Sequence, residues 1–173
     1  TVPLEPTKAA PTGSSEAMPP IEVRSRQWSW EFRYPQQGVS STELHLPVNQ
    51  RARFKLTSDD VLHGFYVPAF RVKQDIIPGK EIDFSFTPIL EGRYRLRDSE
   101  YSGTYFAANQ TQVVVESEAD FQQWLLTASR AEPTTAKNIA FEEFSRAAAG
   151  PISLGWATVK PAPPPTVNYT PED

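Results

Sequence analysis

From Ile21 to Val115 the chain is a succession of short strand-like runs, each cut off by a turn before a helical period can develop. IEVRSRQWSWEFRY over 21–34 alternates locally. It is followed by LHLP from Leu44, RFKLT over 53–57, EIDFSF over 81–86, GRYRL over 92–96 and TQVVV over 111–115. Turn signals separate them at Pro35 to Gly38, Pro47 to Gln50, Pro78-Gly79 and Glu91-Gly92. Alternation buries one face of each strand, and many such strands without intervening helices predict an antiparallel sandwich or Greek-key barrel. The expected fold class is all-β with a helical C-terminal extension.

The flanks read differently. Residues 1–20, rich in Pro, Ser, Thr and Ala with no apolar period, describe an extended linker. The strand-rich domain should span 21–117. Ser117, with Asp120 three residues on, resembles a capping box ahead of FQQWLL, and AFEEFSRAAA over 140–149 is a second helical period stopped by Gly150 and Pro151. These belong to an extension over 118–161. A Pro-rich tail over 162–173 follows, and the stretch from Lys160 to Thr166 should be polyproline-like, mobile or laid along a partner.

The 173 residues suffice for one domain with appendages. A net charge of −4 with scattered basic residues gives no attraction to nucleic acid. No run approaches the roughly 18 apolar residues of a membrane span. With no cysteine, thiolate metal ligands are excluded.

The chain has two histidines, His45 and His63. His45, between Leu44 and Leu46, reads as a solvent-face strand residue. His63 lies in DVLHGFYVPAFRVKQDIIPG over 60–79, a segment too apolar and aromatic for a casual loop. No nucleophile triad, phosphate-binding glycine loop or zinc-helix spacing is present, which argues against stand-alone hydrolytic or transfer catalysis. Asp98 and Glu100 flank Ser99 as an acidic pair of the kind usually found in solvated turns. Trp28 and Trp30, two apart, should share one strand face and pack.

Taken together, the segment over 60–79 and QWSW over 27–30 resemble subunit II of haem-copper terminal oxidases, whose extracytoplasmic domain is a cupredoxin barrel. In the cytochrome-c-oxidising members, one histidine of that segment and a later Cys-Ser-Glu-x-Cys-Gly-x-x-His-x-x-Met loop hold a dinuclear copper centre. The resemblance places His63 on the first histidine and DSEYSGTYFAAN over 98–109 on the loop. Asp98 and Ser102 then stand at the bridging cysteines, Phe106 at the second histidine and Asn109 at the methionine. Ser99, Glu100 and Gly103 match the loop framework. Hard oxygen donors and Phe cannot replace soft thiolates in such a pair.

AFEEF over 140–144 with WATVKP over 156–161 resembles the aromatic-rich extension of quinol-oxidase subunit II, the branch without this copper. The resemblance therefore implies a quinol-fed oxidase subunit that acts as a scaffold beside catalytic subunit I, which carries the haems and copper. The domain itself is expected to hold no cofactor. Residues 1–20 would follow two transmembrane helices outside this chain, leaving the domain membrane-anchored on the periplasmic or thylakoid lumenal side. Glu100 falls where relatives help hold an interface magnesium, and Trp28 where they admit electrons from cytochrome c. Two alternatives stand beside this: a free-standing metal-binding cupredoxin using His63, Asp98 and Glu100, and a cytochrome-c-fed subunit with altered ligands.

Overall fold

In a computed structural model, residues 18–27, 29–99, 110–136 and 162–171, with Glu142 and Ser145, are described. The first expected strand is two, β1 (Ile21–Arg26) and β2 (Ser29–Tyr34), paired antiparallel with Arg26 opposite Ser29. The chain reverses between them. Then come β3 (Val39–Ser41), β4 (Leu44–Pro47), β5 (Ala52–Ser58), β6 (His63–Val67), β7 (Val72–Ile76), β8 (Ile82–Phe86), β9 (Gly92–Asp98) and β10 (Gln110–Glu116).

They form two five-stranded sheets, in the orders β3-β2-β1-β5-β8 and β4-β10-β9-β6-β7. Most neighbours are antiparallel, while β1 with β5 and β10 with β4 run parallel. The alternation seen in sequence becomes burial. Along β1, Ile21, Val23 and Ser25 face inward while Glu22 and Arg24 face out. The centre is aromatic: Phe65 lies edge-on to Trp30 at 6.1 Å and 5.6 Å from Phe54, which stacks on Phe86 at 5.2 Å. The Pro78-Gly79 turn uses the left-handed region at Gly79 (φ 77°), open to glycine at no steric cost.

Helix α1 (Glu118–Arg130) starts where Ser117 accepts a hydrogen bond from Asp120 N at 3.2 Å. Its Phe121, Leu125 and Ala128, spaced for one helical face, are buried in the same core. Trp124, on the flank of that stripe, stacks on His45 at 3.9 Å. Glu142 and Ser145 are helical, and the rest of the second helical period lies outside the described residues.

Over its described part the Pro-rich tail packs on the chain's own domain. Strands β11 (Thr134–Thr135) and β12 (Thr166–Val167) pair antiparallel, and Val167 is fully buried. Neither was legible as a strand: two residues carry no period.

Candidate functional site

His63 opens β6 and Asp98 closes β9, and the antiparallel register between these strands places Asp98 opposite Phe65, beside His63. The His63 ring is inaccessible to solvent, as is the Asp98 side chain. Nδ1 of His63 is in close contact with Asp98 Oδ2, and Nε2 lies 2.8 Å from Asp60 Oδ1. Both ring nitrogens therefore face carboxylate oxygens.

Each carboxylate is itself held. Asp98 Oδ1 accepts from Gly64 N at 2.8 Å. Asp60 Oδ2 accepts from Gln27 N at 2.7 Å, and Oδ1 from Val61 N at 2.7 Å. Burial works against a charge on His63, but the hydrogen bonds and charges of Asp60 and Asp98 outweigh it and raise its pKa to about 9. Burial likewise opposes ionisation of Asp60, and bonds from His63, Gln27 N and Val61 N prevail to keep its carboxyl below the ordinary value. At neutral pH the ring is an imidazolium donating from both nitrogens. Nearby, Arg24 Nε lies 2.7 Å and Arg26 Nε 3.3 Å from Asp59 Oδ2, leaving charges of both signs at this end.

The structure thus brings together His63 and Asp98. It also adds Asp60, whose place three residues before the histidine was the one sequence signal for it. Trp28, Glu100, Ser102, Phe106 and Asn109 lie outside the described residues. Trp30 is buried against Phe32 and Phe65.

The reading of His45 as solvent-facing is corrected: it is 3% exposed. Alternation along LHLP misleads because β4 is covered on both faces, with α1 and Tyr169 lying over the side His45 occupies. Its Nδ1 lies 2.8 Å from Glu116 Oε1 and its Nε2 2.8 Å from Glu43 Oε1. Both histidines of the chain are gripped by carboxylates on two sides.

The residues present do not fit a thiolate-bridged copper pair. The chain has no cysteine, and a metal reaching His63 would have to displace Asp98 or Asp60 from the ring. Among the described residues, no group of three or more His, Cys, Asp or Glu is arranged to hold a metal ion. A cleft of about 490 Å³, between Ile21, Tyr34, Gln37 and α1, shares no residue with this clamp.

A two-sheet sandwich with a buried polar knot where β6 meets β9 defines a cupredoxin-like domain, and comparison with known proteins agrees. Residues 39–118 match the family described as cytochrome C oxidase subunit II, periplasmic domain. The chain is 41% identical over 105 residues to cytochrome c oxidase subunit 2 of Thermostichus vulcanus, covering 60% of this chain and 32% of that protein. It is 28% identical over 127 residues to cytochrome bo(3) ubiquinol oxidase subunit 2 of Buchnera aphidicola subsp. Schizaphis graminum, covering 72% and 44% respectively. The crystal structure of the periplasmic domain of cytochrome oxidase subunit II from Bradyrhizobium japonicum superposes with a TM-score of 0.60 at 28% identity, covering 65% of this chain and 94% of that one. Over residues 39–118 the chain is thus similar to the periplasmic domain of haem-copper oxidase subunit II, in sequence and in fold. It spans less than half the length of each of these two curated relatives.

Proposed function

We propose that this domain is the extracytoplasmic part of subunit II of a quinol-fed terminal oxidase, in which an ion-pair clamp has taken the place of the dinuclear copper centre. One observation carries the reading: both ring nitrogens of His63 are engaged by carboxylates, Asp98 and Asp60, and the resemblance puts His63 at a copper-ligand position and Asp98 at a bridging cysteine. The His63 imidazolium between Asp60 and Asp98 ties the ends of β6 and β9 together without electron transfer. A membrane quinol delivers electrons to catalytic subunit I within the bilayer, so the aqueous-facing relay is dispensable.

In this reading the domain is a scaffold. It caps subunit I, which holds the haems and copper, is tethered through membrane helices preceding residue 1, and offers Glu100 to a magnesium ion at the subunit interface. Trp28, with no copper behind it, passes no electrons.

The test is Cu(I) and Cu(II) titration of the domain with metal analysis, visible absorption and EPR, alongside oxygen uptake by the whole complex. No stoichiometric copper, with turnover on quinol and none on reduced cytochrome c, is the expected result. A tight coloured site lost in His63→Ala would overturn the reading. A second reading, a cytochrome-c-fed subunit with altered ligands, is favoured by the higher identity to a cytochrome c oxidase subunit. Turnover on reduced cytochrome c would establish it.

A further inference from the structure

Residues 162–171 lie outside the span matched by the family, yet they touch the domain at two distant places. At the C-terminal end the contacts are dense. Asn168 N and Tyr169 N donate to Ser40 O at 2.9 and 3.1 Å, and Asn168 Oδ1 accepts from Ser40 N at 3.0 Å. Asn168 Nδ2 donates to Ala131 O at 3.0 Å, and the Tyr169 ring stands edge-on to His45 at 5.3 Å. With the buried Val167, this fixes the segment beside β3 and α1.

The other end reaches the His63 clamp. Ala162 N donates to Gln27 O at 2.7 Å, and Arg26 reaches Pro163 O at 3.4 Å. Gln27 is the turn residue between β1 and β2 whose own N–H binds Asp60. A chain of hydrogen bonds thus runs from Ala162 through Gln27 and Asp60 to His63 and Asp98. Between the two ends, Pro163, Pro164 and Pro165 fix φ at three successive residues, so the anchored end dictates where Ala162 sits.

We propose that residues 162–171 form a strap that positions the His63 clamp, with Ala162 as the positioning residue. Its N–H holds the carbonyl side of Gln27, and Gln27, fixed on both sides, aims its N–H at Asp60 and so sets Asp60 against His63. Linked bonds of this kind polarise and stiffen one another. The strap acts on the clamp whichever donor feeds the complex.

The experiment uses the 173-residue chain and follows the ring N–H signals of His63 and His45 by nitrogen-15 NMR. Ala162→Gly keeps the donor, and Ala162→Pro removes it while suiting the proline run. In Ala162→Pro the His63 ring protons exchange with solvent about tenfold faster, the loss expected for one hydrogen bond. In Ala162→Gly they stay within about twofold of the parent, well inside that margin. The His45 signals hold in both, because the Tyr169 anchor is untouched. Asn168→Ala with Tyr169→Ala, which removes the side-chain bonds to Ser40 and Ala131 and the ring against His45, loosens the far anchor and speeds exchange at both rings. The proposal is overturned if Ala162→Pro matches Ala162→Gly at His63, if it disturbs the two histidines equally, or if the Asn168→Ala, Tyr169→Ala pair leaves His63 unchanged.

Discussion

Gly64 and Ser99 share a space that admits one side chain. A Cβ built on Gly64 would lie 1.7 Å from Ser99 Oγ and 3.0 Å from Ser99 Cβ. Ser99 is drawn in because its N–H donates to Gly64 O at 3.1 Å, just where Gly64 N donates to Asp98. Gly64→Ala should therefore cost about 1–3 kcal/mol through forced shifts at the ends of β6 and β9. Urea unfolding measures this, and adding Ser99→Gly should recover most of the loss. An unchanged midpoint in Gly64→Ala would refute the close approach.

Stability should fall as pH rises above neutrality. The folded pKa of His63, about 9, lies above the roughly 6.5 of an unfolded histidine. Its contribution is thus complete below the unfolded value and lost as pH climbs through the folded one. Asp60 has the opposite sign: its lowered pKa contributes above the ordinary carboxylate range and is lost as pH falls through the folded value. Between pH 6.5 and 9.5 the clamp should lose on the order of 3 kcal/mol, read from urea midpoints. His63→Gln should flatten that slope. A parent protein equally stable at both ends of the window would contradict the charged clamp.

Tyr34→Phe should destabilise out of proportion to one lost oxygen. Tyr34 Oη donates to His45 O at 2.7 Å and accepts from His45 N at 2.9 Å, taking both backbone groups of a buried residue on the sheet edge. Removing it leaves both unpaired, at about 1–3 kcal/mol for a buried group. Burial also holds the phenol well above its ordinary pKa. Alkaline difference spectra should show a tyrosine signal that appears only on unfolding and is missing in Tyr34→Phe.

Reinstating the thiolate set should convert the clamp into a metal site. With Asp98→Cys, Ser102→Cys, Phe106→His and Asn109→Met together, His63 loses one carboxylate and the chain regains the ligand types that the resemblance assigns to this copper pair. Stoichiometric copper with intense visible bands and a mixed-valence EPR signal is expected. Adding His63→Ala should abolish both, and retention of both would show that His63 does not face the restored ligands.

The strands whose faces differ in polarity were legible from sequence. Ile21, Val23 and the outward Glu22 and Arg24 wrote β1 directly, and Ser117 with Asp120 marked the start of α1. Strand β6 was not, because HGFYV is apolar nearly throughout and is buried at four of its five positions, which erases a period of two. The His63 clamp was half legible. The resemblance put His63 and Asp98 at equivalent ligand positions, but the pairing of Asp60 with the far side of the ring depends on the Gln27 turn, a tertiary feature without a local signature. His45 failed for the same reason: its two carboxylates, Glu43 and Glu116, come from near and far in the chain, and its cover comes from Trp124 and Tyr169.

Strand β3 ends its sheet, and an outer strand displays unpaired N–H and C=O groups that invite another chain to add to it. Here that row is already taken: Ser41 bridges to Tyr169 in parallel register, and Thr42 N donates to Tyr169 O at 3.2 Å. A chain cut before residue 162 would keep every strand of the two sheets and still present an open template for self-association. Loss of the tail would therefore be felt first as self-association through β3, with both sheets still intact.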